Sequence, residues 1–226
     1  MSARSRWSLW SRWVLANSLA ELVGLGSTFA LGVGIFSGAA DSPGALPAIV
    51  TAALMTGSGA IEGLVVGYAQ WRAMHAAFPA LPRRSWILAT IYGALVAWFL
   101  GSIPMTIASL AASGQEQAAQ EPPAAMMLLM AAGMGAVAGL VLSLLQWRVL
   151  RQFAGRAWLW LPANAAAWAV GMPIVFAAVD LAQRSGSLPG GVAVMALSLA
   201  ITGAVVGAVH GVVLVRLASQ QSTGAG

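Results

Sequence analysis

The sequence predicts an all-α membrane protein with six transmembrane helices. Hydrophobic residues make up 59% of the 226 residues and charged residues only 8%, too few to cover a soluble protein. Six apolar stretches each reach the length of about 20 residues that a helix needs to cross the hydrocarbon of a bilayer. Glycine, proline and polar residues separate these stretches, so we expect one transmembrane domain over residues 1–226.

The six predicted helices follow one another with short connections. Their predicted spans are Trp13–Gly38, Pro47–Trp71, Trp86–Ala111, Ala124–Trp147, Trp158–Leu181 and Gly191–Val215. The arginine-rich start and the "FSGAAD" segment of the first span are similar to a cleaved signal peptide. That apolar run is too long for a signal peptide and contains Glu21, so we predict that the first helix is retained.

The distribution of arginine predicts the orientation of the helices. Ten arginines flank the spans on one side: Arg4, Arg6, Arg12, Arg72, Arg83, Arg84, Arg148, Arg151, Arg156 and Arg216. The opposite side holds Arg184 and the acidic residues Asp41, Glu116 and Glu121. Positive charge favours the cytoplasmic side, so both termini are predicted to be cytoplasmic, and we expect the bacterial inner membrane. The net charge of +5 therefore indicates membrane orientation, and no nucleic-acid partner is expected.

Tryptophan is concentrated on the same side as the arginines. The residues concerned are Trp7, Trp10, Trp13, Trp71, Trp86, Trp147, Trp158 and Trp160. Indole rings favour the interface between lipid and water, so we expect these side chains to anchor the helices at the depth of the head groups.

An internal repeat organises the chain into three helical hairpins. The even-numbered helices align without gaps as "GAIEGLVVGYAQWR" from Gly59, "GAVAGLVLSLLQWR" from Gly135 and "GAVVGAVHGVVLVR" from Gly203. The odd-numbered helices align at their starts as "RWVLAN", "SWILAT" and "WLWLPAN". The repeats cover approximately residues 12–72, 85–148 and 157–216, which predicts approximate three-fold pseudosymmetry about an axis along the membrane normal.

The repeated segment combines a glycine ladder with a Gln-Trp-Arg ending. Small residues four positions apart allow helix backbones to approach closely in lipid. The predicted packing glycines are Gly59, Gly63, Gly67, Gly135, Gly139, Gly203, Gly207 and Gly211. The predicted interfacial anchors, which can also bond across helices, are Gln70, Trp71, Arg72, Gln146, Trp147 and Arg148.

The pattern Gly-xxx-Gly-xx-Gln-Trp-xx-Leu-Arg, followed by a Trp-xxx-Ala-Asn/Thr helix start, resembles a broad group of small, mostly uncharacterised bacterial multi-pass membrane proteins. The resemblance covers the two Gln-Trp repeats and the first helix. It implies the topology described above and implies no activity.

Five polar residues in the apolar spans form a candidate intramembrane site. They are Asn17, Glu21, Glu62, Asn164 and His210, all in the half of the membrane nearer the arginines. Burial of ionisable groups in lipid is costly, which favours a functional role. One interpretation is a small cationic or proton-coupled site, in which the two acids hold one proton and the histidine tunes it. The alternative is a satisfied structural hydrogen-bond network.

No enzymatic activity, cofactor or metal site is expected. The segments around Ser58 and His210 resemble the serine and histidine helices of rhomboid-type intramembrane proteases. By residue count their depths differ by roughly 10 Å, well beyond a hydrogen bond. The chain contains no cysteine, which excludes thiol catalysis and thiolate metal sites.

The sequence is compatible with two classes of function. The first is a non-catalytic accessory subunit of a membrane complex, or a binder of lipid or another hydrophobic small molecule, with membrane lipids or other membrane subunits as partners. The alternative is a small transporter or channel that uses Glu21 and Glu62. A wide, water-filled cavity that reaches Glu62 would favour transport, whereas a filled core would favour the first class.

Overall fold

The computed structural model describes residues 1–39, 45–112 and 122–221, and these residues contain six long α-helices and no β-strand. The helices are α1 Ala3–Ala39, α2 Ala45–Met74, α3 Arg83–Ala112, α4 Ala124–Leu150, α5 Trp160–Arg184 and α6 Leu188–Gln221, with a short 3-10 helix at Ala157–Leu159. All six are long and apolar enough to cross a membrane. The prediction of an all-α protein with six such helices is therefore confirmed.

Several helices extend beyond the spans predicted from hydropathy. Helix α1 begins at Ala3 rather than Trp13, and α6 continues to Gln221 rather than ending at Val215. Hydropathy marks only the part of a helix that matches lipid, and no glycine or proline interrupts the polar residues before Trp13. The acidic residues predicted for the opposite side, Asp41, Glu116 and Glu121, lie outside the described residues.

The helices form a closed ring in chain order. Each helix packs against the one before it and the one after it, and α6 returns to pack against α1. The connections α2–α3 and α4–α5 lie at one end of this ring, together with the start of α1 and the end of α6. We call this end the arginine-rich end, because Arg12, Arg72, Arg148 and Arg216 belong to it.

A tryptophan-centred cluster fills the core at the arginine-rich end. Trp13, Trp86 and Trp160 are each 0% exposed. The Trp160 ring centroid lies 5.9 Å from that of Trp13 and 6.2 Å from that of Trp86. The prediction that these three act as interfacial anchors is therefore wrong, because their side chains point into the ring and not toward the lipid. Trp7 and Trp158, by contrast, are exposed.

Glycines of the even-numbered helices lie against the backbone of a neighbouring odd-numbered helix. A Cβ atom added to Gly63 on α2 would lie 2.6 Å from Cα of Ile91 on α3. A Cβ atom added to Gly139 on α4 would collide with the backbone oxygen of Asn164 on α5. One added to Gly203 on α6 would collide with the backbone oxygen of Asn17 on α1. These positions have no room for a side chain, which brings the paired backbones close together.

Candidate functional site

The five polar residues of the candidate site all border one internal cavity. Asn17, Glu21, Glu62, Asn164 and His210 come from α1, α2, α5 and α6 and meet inside the ring. All five side chains are buried. The cavity has a volume of about 10 Å³, which is space for about one water molecule.

A hydrogen-bond network runs beside this cavity, with Gln146 at its centre. The Gln146 Oε1 atom accepts a hydrogen bond from Nε1 of Trp160 over 2.9 Å. The Gln146 Nε2 atom donates to Oγ1 of Thr90 over 3.0 Å and to Oε1 of Gln70 over 3.1 Å. One side chain of α4 thereby connects α2, α3 and α5.

The network continues from Gln70 to the first and last helices. Gln70 Nε2 donates to Oδ1 of Asn17 over 2.9 Å, and Asn17 Nδ2 donates to the backbone oxygen of Trp13 over 2.8 Å. Trp13 Nε1 in turn donates to Nδ1 of His210 over 2.8 Å. Side chains from all six helices thus belong to one connected network.

Two of the predicted interfacial anchors belong to this network instead. Gln70 is 3% exposed and Gln146 is 0% exposed, so neither can meet lipid head groups. Their amides point into the ring and bond across helices, which is the other role expected for them from the sequence, and the anchoring role at the head groups is wrong for these two.

The other four predicted anchors lie at the arginine-rich end of their helices. Trp71 and Trp147 are half-buried, and Arg72 and Arg148 are exposed. Other arginines lie over the two rings: the guanidinium of Arg83 is 5.8 Å from the Trp71 ring centroid, and that of Arg151 is 5.0 Å from the Trp147 ring centroid.

The same local hydrogen bond occurs once on each odd-numbered helix. A polar side chain donates to the backbone oxygen of the tryptophan four residues before it. The three bonds run from Asn17 to Trp13 (2.8 Å), from Thr90 to Trp86 (3.0 Å) and from Asn164 to Trp160 (2.9 Å). Each bond fixes the orientation of its polar side chain toward the interior of the ring.

The two acids differ in their hydrogen bonding. Glu62 Oε2 accepts a hydrogen bond from Nε1 of Trp98 over 2.7 Å. Glu21 Oε2 is buried and has no hydrogen-bond partner. Helices α1 and α2 approach closely here, since a Cβ atom added to Gly24 would lie 3.2 Å from Cα of Glu62. The cavity is thus bordered by two carboxyl groups, one of which carries an unsatisfied oxygen.

Ser58 and His210 each hydrogen-bond elsewhere. The Ser58 hydroxyl donates to the backbone oxygen of Met55 over 2.7 Å, and His210 Nδ1 accepts from Trp13. Neither bond joins the serine to the histidine, as a nucleophile and its base would require.

The site predicted from the sequence did not include Trp98 or Thr90. Trp98, the partner of Glu62, lies 36 residues away on another helix, and no local pattern connects the two. Thr90 was detectable, because it occupies the aligned position of Asn17 and Asn164 in the second hairpin.

Comparison of the chain with protein-family models, with curated proteins and with solved structures gave no match.

Proposed function

We propose that this protein is a non-catalytic integral membrane protein, either an accessory subunit of a membrane complex or a binder of lipid or another hydrophobic small molecule. The filled core carries this proposal. The central cavity holds about 10 Å³, whereas a pathway for a solute needs continuous space lined by polar groups. Three fully buried tryptophans, Trp13, Trp86 and Trp160, also fill the ring at the arginine-rich end.

The outer surface of the ring supports membrane lipids or other membrane subunits as partners. Large apolar side chains are exposed on several helices, among them Val33 on α1, Leu129 and Val137 on α4, and Leu197 on α6. In a bilayer such side chains contact acyl chains or the helices of another subunit.

The proposal includes the topology expected from the sequence: three hairpin repeats, approximate three-fold pseudosymmetry and both termini in the cytoplasm of a bacterium. Two structural features support the repeat. The bond to a tryptophan backbone oxygen recurs on α1, α3 and α5. Gly63 of α2, Gly139 of α4 and Gly203 of α6 each lie against the backbone of an odd-numbered helix.

Flux measurements in proteoliposomes test the non-conducting part of the proposal. Purified full-length protein is reconstituted, and the flux of protons, Na⁺, K⁺ and small uncharged solutes is followed with a gradient in either direction. We expect no flux above that of protein-free liposomes, because the cavity between the two acids has space for about one water molecule. Flux that rises with the amount of protein would contradict the proposal.

The alternative function is a small transporter that uses Glu21 and Glu62. The observation that favours it is that both acids border the same buried cavity. The proteoliposome assay separates the two functions. Flux that is lost in Glu62→Gln and kept in Asp180→Asn would establish transport, since Asp180 is an exposed carboxylate paired with Arg184.

A further inference from the structure

We propose that Glu21 and Glu62 bind one small monovalent cation, of the size of Na⁺, in the cavity between them. This site lies beyond the proposed function and does not depend on it, because a bound cation can stabilise the ring whether the protein works alone or in a complex. Three features of the cavity favour a small cation: an unsatisfied carboxyl oxygen, neighbouring donors that are directed elsewhere, and a volume of about 10 Å³.

The unsatisfied oxygen is Oε2 of Glu21. Its side chain is 1% exposed and borders the cavity, yet this oxygen accepts no hydrogen bond from the protein. A buried acceptor without a partner destabilises the folded state, and a charged acceptor does so more strongly. A cation or a donor inside the cavity removes this effect.

Four donors in or beside the cavity wall are directed to acceptors other than Glu21. Trp98 donates to Glu62, and Trp13 donates to His210. Asn17 and Asn164 each donate to a backbone oxygen on their own helix. None of these hydrogen bonds reaches Glu21.

The charges around the cavity are unbalanced. The titratable residues that border it are Glu21 from α1, Glu62 from α2 and His210 from α6, and its lining includes no arginine. Two carboxyl groups therefore share a buried space into which the protein brings no fixed positive charge. This arrangement attracts a cation or a proton.

The size of the cavity limits the occupant to one small ion. A volume of about 10 Å³ accommodates about one particle of the size of water. A divalent cation such as Ca²⁺ requires about six to eight oxygen ligands. Within residues 1–39, 45–112 and 122–221, no group of three or more His, Asp or Glu side chains is placed to hold a metal ion. A monovalent ion with fewer charged ligands fits these walls better.

The repeat predicts a single site per chain. In the sequence alignment, the position of Glu21 corresponds to Ala94 and Trp168, and the position of Glu62 corresponds to Ala138 and Val206. The other two hairpins therefore lack both carboxyl groups.

Thermal unfolding at constant ionic strength tests the site. Purified full-length protein in detergent is unfolded in choline chloride and in mixtures with NaCl, LiCl or KCl at one fixed pH. We expect NaCl to raise the unfolding midpoint in a saturable way, by about 3 °C at tenfold excess over the dissociation constant, because a ligand of the folded state stabilises it. The increase should be absent in Glu21→Gln and retained in Asp180→Asn, a matched loss of an exposed carboxylate.

Equilibrium dialysis with radioactive Na⁺ gives a second measurement that does not depend on the folding of a variant. We expect one Na⁺ per wild-type chain, displaced by Li⁺ and weakly by K⁺. An unfolding midpoint that is equal in all four salts overturns the proposal, as does a sodium effect of full size in Glu21→Gln. A midpoint that responds to pH but not to Na⁺, with no bound Na⁺ in dialysis, also overturns it and assigns the cavity to a proton.

Discussion

Trp13 donates its indole Nε1–H to Nδ1 of His210 over 2.8 Å, and both side chains are buried. Because Nδ1 accepts this hydrogen bond, the imidazole carries its proton on Nε2 and is neutral while the bond is intact. The bond joins α1 to α6, the two helices that close the ring. A histidine inside the membrane-spanning part is thus held by the protein itself and needs no external partner at Nδ1.

Loss of the Trp13 donor should weaken the closure of the ring. We expect Trp13→Phe to lower the free energy of unfolding by about 1–3 kcal/mol, because Nδ1 of His210 stays buried without a donor while most of the aromatic packing remains. Thermal or denaturant unfolding in detergent measures this change. Trp7→Phe is the matched control, since Trp7 is exposed. Equal stability of the two variants would show that the indole–imidazole bond contributes nothing.

Replacement of the Gln146 side chain should strongly destabilise the protein. We expect Gln146→Ala to cost about 2 kcal/mol or more, because it leaves Nε1 of Trp160 buried without an acceptor and separates Gln70 from Thr90. Gln152→Ala is the control, because Gln152 is exposed and bonds only to a backbone oxygen of its own turn. If both variants unfold at the wild-type midpoint, the network does not hold the helices together.

Alanine substitutions at two glycines of α4 distinguish the effect of helix packing on stability from the effect of helix propensity. We expect Gly139→Ala to destabilise the protein, because the added methyl group collides with the backbone oxygen of Asn164. Gly133→Ala on the same helix should be neutral or stabilising by up to about 1 kcal/mol, since nothing lies within 4 Å of its added Cβ. Unfolding midpoints of the two variants measure the difference. A destabilised Gly133→Ala beside an unaffected Gly139→Ala would refute the packing described for α4 and α5.

The stability of the protein should depend more on the hydrogen-bond acceptor at position 62 than on the charge of Glu62. Glu62→Gln keeps a side-chain oxygen for Nε1 of Trp98, so we expect a loss of less than about 1 kcal/mol. Glu62→Leu leaves that indole donor unpaired and should cost more. Expression level and unfolding midpoint distinguish the two. A Gln variant that is as unstable as the Leu variant would mean that the fold needs the carboxylate itself.

The orientation of the chain can be tested with reporters. Because arginines flank the helices at one end of the ring, we expect fusions at either terminus to report a cytoplasmic location. A reporter that is active only outside the cytoplasm provides the complementary test. A signal from the exterior at either end would contradict the topology.

The sequence predicted the helices well because lipid imposes a simple constraint. Backbone groups within a bilayer must be satisfied inside each helix, so length and hydropathy identify the spans. The candidate polar site could also be identified from the sequence, since Glu21 and Glu62 are conspicuous in apolar stretches. Hydropathy does not show, however, which side of a helix points into the ring. Trp13 and Gln146 were therefore expected near the interface with water, although both are inside the ring.

The partners of the polar groups could not be derived from the sequence. The bond between Trp98 and Glu62 depends on how α2 and α3 are rotated against each other. That rotation follows from backbone contacts such as Gly63 against Ile91, which only the packed structure provides.

Native mass spectrometry of the protein extracted gently from its own membrane tests the central claim most directly. If the protein is an accessory subunit or a binder of hydrophobic molecules, the 23.1 kDa chain should appear with a stoichiometric protein partner or with tightly held lipid. The added mass should persist when the activation energy is raised enough to strip detergent. A bare chain under the gentlest conditions would contradict the claim.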